Sequence, residues 1–214
     1  MLILLGVPLA LAVGLLAGGR LDRLGAQRVA WWWVGLVAFA AQLVAVYAAG
    51  TPDTLDMALI VGSHVALATV ALANRRLPGA PVVAAGLLLN LAVMVANGGL
   101  MPVAPETLAR AGRFEPWKVG AGTPGSRVAS SKDVVMPIDQ TRLEFLADRY
   151  WNGLPGRLGF IFSVGDVLLT AGVFTFVVST LTTAPATRAR KDTPHVSSPR
   201  FATGAGLVVP AIWD

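Results

Sequence analysis

The chain has no cysteine, only two histidines, and charged residues at just 14% of its 214 positions. Without cysteine there are no disulfides, no thiol nucleophile and no cysteine metal site. Little charge set against 55% hydrophobic residues is too apolar for a water-soluble domain of this size. There is also no phosphate-binding glycine loop and no recognisable nucleophile motif. The net charge of +5 comes without a basic stripe interleaved with aromatics, so nucleic acid is not an expected partner. That charge sits largely where the anionic lipid of an inner leaflet would attract it.

What the chain does have is long apolar runs. Five fall at about residues 1–19, 30–49, 57–73, 79–100 and 158–181. Crossing a hydrocarbon core takes roughly 20 mostly apolar residues in a helix, and lipid forces each such run to be helical because it offers backbone amides no partner. The expected fold is all-α: a polytopic membrane bundle of five transmembrane helices over residues 1–181, with a roughly 60-residue extracytoplasmic segment (98–157) between helices four and five. The third run, at 17 residues, is the marginal one. Arg20, Arg23 and Arg28 follow the first run rather than precede it, the reverse of a cleaved signal, so this run too is expected to be a helix.

Arginine placement sets the orientation, because cations beside helix ends stay in the cytoplasm. The connection after the first run carries those three arginines, and that after the third carries Arg75 and Arg76. The turn from Gly50 to Asp56 holds no cation and two aspartates, Asp53 and Asp56. It is expected outside, along with the N-terminus, and the tail bearing Arg188, Arg190, Lys191 and Arg200 inside. This topology puts His64 and His195 on opposite sides of the membrane, which excludes a shared metal site. Trp31, Trp32 and Trp33 mark a cytoplasmic boundary, where indoles anchor at the interface. Small residues four apart (Ala10, Gly14, Gly18; Ala41, Ala45, Ala49) mark helix-packing faces.

Two pieces of the outer segment read as helical. Pro105 to Ala111 begins with proline at a tolerated first-turn position and stops at Gly112. Asp139 can cap a second piece from Gln140 to Tyr150, with Leu143, Leu146 and Tyr150 at helical spacing, expected to lie over the bundle on the outer surface. Gly112 to Ser131 reads as a mobile loop. Residues 182–214, dominated by Thr, Ser, Pro, Ala and Arg, read as a disordered cytoplasmic tail with an apolar end, Gly206 to Trp213.

Polar side chains within the runs form one layer. Counting about 1.5 Å per residue puts Gln42, His64, Asn90, Asn97 and Asp166 roughly 5 to 15 Å below the outer surface. Ser163, Asp166 and Thr170 share a helix face, as do Asn90 and Asn97. A carboxylate at such depth costs at least ~2.5 kcal/mol unless paired, hydrated or neutral. Two accounts of Asp166 are open. It either serves an outward-facing polar pocket as ligand group or proton carrier, with His64 as partner, or it fixes helix packing through Ser163, Thr170 or Asn90.

Several of these elements resemble a known family. Asn97-Gly98-Gly99-Leu100-Met101-Pro102-Val103, Pro105-Glu106-Thr107-Leu108, Thr141-Arg142-Leu143 with Phe145-Leu146-Ala147-Asp148, and Phe162-Ser163-Val164-Gly165-Asp166 are similar to a bacterial membrane-protein family, the domain of unknown function 5317. The resemblance spans about residues 1–181 and implies a several-helix protein of the bacterial cell membrane with no established activity. Ala147-Asp148 stands where the family pattern has Gly-Asp. Both the Asn-Gly-Gly-x-Met-Pro element and the Phe-Ser-Val-Gly-Asp element fall at the outer ends of their helices. A pocket there, roofed by the outer helix, is the expected site.

A binding or accessory protein holding a small ligand, a lipid or a partner membrane protein is the leading expectation. A small transporter or proton-coupled permease comes second, weakened by the lack of an internal repeat. A membrane enzyme comes third, with no catalytic residue assigned. No cofactor is expected.

Overall fold

The computed structural model describes residues 2–48, 53–112, 125–128, 131–154 and 159–183. Most of the loop expected over 112–131, Ala49, His195 and almost all of the tail lie outside them. The described chain is mostly helical: α1 (Leu2–Leu16), α2 (Asp22–Ala26), α3 (Trp32–Tyr47), α4 (Asp53–Ala73), α5 (Ala80–Ala96), α6 (Pro105–Arg110) and α7 (Val164–Thr182). By length and composition α4 and α7 are able to cross a membrane, while α1, α3 and α5 are apolar but shorter.

Local chemistry moves each boundary from its expected place. The run that begins at Met57 is helical from Asp53, so the marginal span is the longest helix, at 21 residues. Its first turn carries Asp53 and Asp56, acids that the N-terminal dipole favours. α5 stops at Ala96, because Gly98 and Gly99 take φ of 87° and 101°, left-handed backbone that glycine adopts without strain. α7 starts at Val164, where Ser163 and Asp166 form a capping box. α6 follows the expected proline start.

The long helices pack side by side in the order α1, α7, α5, α4, α3. Among the described residues no comparable interface joins α1 to α3, so the row has two ends. Glycines set its closest contacts. On α5 and at its start, Gly79 and Gly86 face Gly172 and Gly165 of the antiparallel α7. A Cβ on Gly86 would lie 2.5 Å from the Gly165 carbonyl oxygen and 2.7 Å from the Leu169 nitrogen, so the backbones meet only because no Cβ intervenes. α1 presents Gly6, Ala10 and Gly14 to Thr170 and Leu181 of α7. The expected stripe on α1 is thus shifted one turn, and a Cβ on Gly18 would meet no neighbour.

At one end of the row the segment after α5 folds into a roof. β1 (Met101–Val103) pairs in parallel with β2 (Asp133–Val135), Met101 opposite Asp133. β3 (Tyr150–Trp151) pairs antiparallel with β4 (Ile161–Phe162). Met101, Val134, Leu146 and Ala147 of this segment bury against Ala45, Ile60, Val93 and Met94 of α3, α4 and α5. Fully burying a side chain such as Met101 contributes roughly 1.5–3 kcal/mol.

The helix expected from Gln140 to Tyr150 is absent. In its place are two short 3-10 turns, Ile138–Gln140 and Glu144–Leu146. Asp139 sits inside the first of them and caps nothing, and Leu143 has a left-handed φ of 55°. The reason lies in Asn97. Its amide accepts from the Arg142 N–H and donates to the Arg142 carbonyl, both at 2.8 Å, and that carbonyl is one a helix from Gln140 would pair internally.

The α5–α7 contact predicts a clear asymmetry between two helical glycines. Gly86→Ala should destabilise the protein by ~1–3 kcal/mol through forced separation of the helices. Gly62→Ala, with open space around its Cβ, should leave stability unchanged or slightly raised. Melting temperatures in detergent check this, and equal effects at the two positions would contradict the close approach.

Candidate functional site

The site begins with the contact between α5 and α7. Gly165 lies directly against Asn90, which brings the Asn90 amide to the first turn of α7. Asn90 Nδ2 donates to Asp166 Oδ1 at 2.9 Å, and Ser163 Oγ donates to Asn90 Oδ1 at 2.9 Å. Ser163 Oγ also accepts from the Asp166 N–H at 3.1 Å, and Asp166 Oδ2 faces the Ser163 N–H at 3.5 Å. A carboxylate only accepts, so this ring fixes which way the Asn90 amide points.

Beside it is a cavity of about 400 Å³, within the usual size range of ligand pockets, roughly 300–1,000 Å³. Its polar lining comprises Gln42 of α3, His64 of α4, Asn90 of α5, Asp166 and Thr170 of α7, and Lys132 from the roof. Apolar side chains complete the wall, among them Leu2, Phe39, Leu87 and Leu169.

The expected residues thus divide into three groups. Gln42, His64, Asn90, Asp166 and Thr170 share this cavity. Ser163 stands behind it, fully buried and bonded to Asn90. Asn97 is elsewhere, clamping Arg142. Of the motif residues, Gly98 and Gly99 end α5, Met101 and Pro102 lie buried in β1, and Gly165 provides the close approach to Asn90.

His64 is not bonded to Asp166, contrary to the expected pairing. Its Nδ1 lies 2.8 Å from the Ile60 carbonyl, one turn earlier on its own helix, and 3.2 Å from the Gln42 amide. In the neutral tautomer that donates Nδ1–H to the Ile60 carbonyl, Nε2 is an acceptor. Thr170 Oγ1 is buried with no partner among the described residues, although threonines in helices commonly bond the preceding turn.

Lys132 and Arg127 carry no signal in the sequence, and Asp148 is marked there only as part of the Phe145-Leu146-Ala147-Asp148 element. Lys132 immediately precedes β2, and its carbonyl accepts from Met101 N–H of β1 at 3.1 Å. Its Nζ donates to Asp148 Oδ2 at 2.8 Å and lies 3.7 Å from Asp133 Oδ1. Asp148 is held in place by its own N–H, which donates to the Pro102 carbonyl. Arg127 forms an ion pair with the buried Asp56 of α4 and donates to the carbonyls of Ala45 and Ser131 at 3.2 and 3.3 Å. It fastens the roof to α3 and α4.

The electrostatics of the roof follow from three carboxylates around one ammonium. Burial opposes charge on Lys132, but Asp148, Asp166 and Asp133 outweigh it and raise its pKa above that of an ordinary lysine. Burial pushes Asp148 up to about 8; Lys132 opposes the rise, while Asp133 and Asp166 add to it. The arrangement can accept hydrogen bonds at Asp166 and His64 Nε2 and donate them from Lys132. Among the described residues no group of His, Asp and Glu is able to hold a metal ion.

Residues 27–178 match a family of unknown function, DUF5317. The chain belongs to that family. No curated protein and no solved structure matches it. The match to DUF5317 takes in both elements of the polar ring, from Asn90 on α5 to Asp166 on α7. It also covers the whole roof.

The raised Asp148 pKa gives a pH dependence of known sign. An ordinary carboxyl titrates at about 3.9, so between about pH 4 and 8 the folded state binds more protons than the unfolded one. Stability should therefore fall as pH rises through this window, by at most about 1.4 kcal/mol per pH unit for one proton. Lys132 contributes no slope there, because both of its pKa values lie higher. Asp148→Asn should flatten the profile; melting temperatures across the window that slope equally in both proteins would exclude Asp148 as the cause.

Proposed function

We propose that the chain is a multi-pass membrane protein of five spans that binds a small ligand in the cavity beneath its roof. In this reading α1, α3 and α5 cross the membrane beside α4 and α7, with the N-terminus and roof outside and the tail in the cytoplasm. The exposed apolar surface supports it: Leu4, Leu9 and Leu16 of α1 and Leu36, Val37 and Phe39 of α3 are all more than half exposed. Patches of that kind belong against lipid or another protein. Arg20, Arg23, Arg28, Arg75 and Arg76 cluster at the end of the row away from the roof, as the cytoplasmic bias of cations requires.

The observation that carries the binding reading is Lys132. A lysine reaching from the roof into the same cavity as Asp166, His64, Asn90 and Gln42 closes a polar chamber otherwise bounded by apolar helices. Ionisable groups among spans are costly and mark function. A purely structural ring would need Ser163, Asn90 and Asp166 alone, whereas Lys132 adds a cation to the same cavity and the Thr170 hydroxyl has no partner among the described residues.

Topology is tested with reporters. A fusion after Arg76 or Lys191 should report cytoplasm and an insertion near Gly122 the outside; a cytoplasmic signal at Gly122 would overturn the orientation.

Asp166→Asn tests the site. It retains hydrogen-bonding capacity but loses the charge, so stability should change by only ~1 kcal/mol. The expected outcome is normal abundance and insertion with failed complementation of a deletion strain. Full complementation would reduce Asp166 to a packing residue.

A further inference from the structure

Next to the cavity under the roof is a second, mostly apolar one of about 200 Å³. Leu67, Val83, Leu87 and Val173 line both. The second extends away from the roof to Asn74, Leu77 and Phe176, near the arginine-bearing end. The two cavities thus share an apolar wall, with the charged side chains confined to the roof end of the first.

The side of the first cavity is equally informative. The helix row has two ends, and Leu2 and Ile3 of α1 and Phe39 of α3 line the cavity from those two unjoined helices. These three side chains are apolar, with Gln42 of α3 one turn nearer the roof, which suits access from hydrocarbon rather than from water.

We propose that the ligand is a bilayer phospholipid with a zwitterionic, primary-ammonium headgroup, admitted between α1 and α3, with an acyl chain lying along the shared apolar wall. This rests on the binding reading above and names its ligand class. The headgroup assignment follows from charge. Asp166 and Lys132 are the two oppositely charged side chains in the lining, which matches a headgroup carrying an ammonium and a phosphate. Asp166 takes the ammonium. Lys132 has three donors and commits one to Asp148 at 2.8 Å, leaving others for the phosphate. Asp133 stands behind Lys132 and Asp166 lines the cavity, so carboxylates outnumber the ammonium even with Asp148 protonated, and an anionic lipid is disfavoured. Asp166 and, in the tautomer that donates from Nδ1, His64 Nε2 both accept hydrogen bonds, which a primary ammonium can donate and a trimethylammonium cannot. The Thr170 hydroxyl supplies one further polar contact on the same wall.

The test uses the full chain purified in mild detergent, titrated with mixed micelles of phosphatidylethanolamine, phosphatidylcholine or phosphatidylglycerol and with soluble phosphoethanolamine. Melting temperature and tryptophan fluorescence give the readout, and mass spectrometry identifies lipid retained from the membrane. Phosphatidylethanolamine should be retained and should bind at least tenfold more tightly than either other lipid, with soluble phosphoethanolamine weaker still. In Asp166→Asn the preference over phosphatidylcholine should be lost. Because the lipid comparison is made on the unmodified protein, it stands even if the variant folds poorly.

Soluble phosphoethanolamine binding as tightly as the lipid would overturn the amphiphile inference and leave the binding reading intact. Preference for phosphatidylglycerol would overturn the headgroup assignment. Failure of every probe overturns the lipid proposal, and the binding reading falls with it only if Asp166→Asn also complements fully.

Discussion

The contact between α5 and α7, backbone against backbone at two glycine pairs seven residues apart, governs the rest of the site. Gly86 with Gly165 and Gly79 with Gly172 leave no Cβ at the two points where the backbones meet. Only at that separation does the short Asn90 side chain reach Ser163 and Asp166 and bond both at 2.9 Å. A single methyl on this seam would part the helices and open the ring. In lipid, where apolar burial gives helices little drive to associate, close backbone packing and interhelical hydrogen bonds carry the association. Here the same few residues provide both.

Charge closes what the glycines begin. Lys132 is drawn in by Asp148 at 2.8 Å and by Asp133 and Asp166 nearby, and Arg127 by the buried Asp56. Each pair joins the roof to itself or to the helices, over sequence separations of 16 and 71 residues. Removing one partner of a buried pair leaves an uncompensated charge, which costs about 3–5 kcal/mol. The β1–β2 pairing carries Lys132, and the Pro102 carbonyl carries Asp148, so the short strands serve to aim a cation.

Much of this was legible in the sequence, and the boundary of legibility is physical. Apolar runs gave the long helices because lipid-like composition and helical length are local properties. The polar layer was legible for the same reason: Gln42, His64, Asn90 and Asp166 could be ranked by depth along helices, and all four line the cavity. The paired glycines at 79, 86, 165 and 172 were present in the sequence as a seven-residue spacing. What a sequence does not reveal is which loop residue returns to the bundle. Lys132 lies in an aperiodic stretch, and its partners are set by a parallel strand pair of three residues, one of them Pro102. The helix expected from Gln140 to Tyr150 failed similarly. Its leucine spacing was real, but Asn97, 45 positions away, took the backbone of Arg142. Asn74 acts alike at the other end of the row, gripping both backbone groups of Ala30 at 2.8 and 2.9 Å.

The two accounts of Asp166, packing and ligand binding, are compatible because a carboxylate has more capacity than the ring uses. It offers about four acceptor positions. Asn90 fills one at 2.9 Å, and the capping contact to the Ser163 N–H, at 3.5 Å, occupies a second only weakly. The ring orients the group while leaving lone pairs toward the cavity. Such orientation is what a binding carboxylate needs, since a charge fixed in advance loses little freedom when a ligand arrives. The cost of keeping that charge between apolar helices is offset partly by Asn90 and the α7 N-terminus, whose dipole favours an anion. Lys132 supplies the remainder across the cavity, so the fold keeps a charge separated, oriented and accessible from one side.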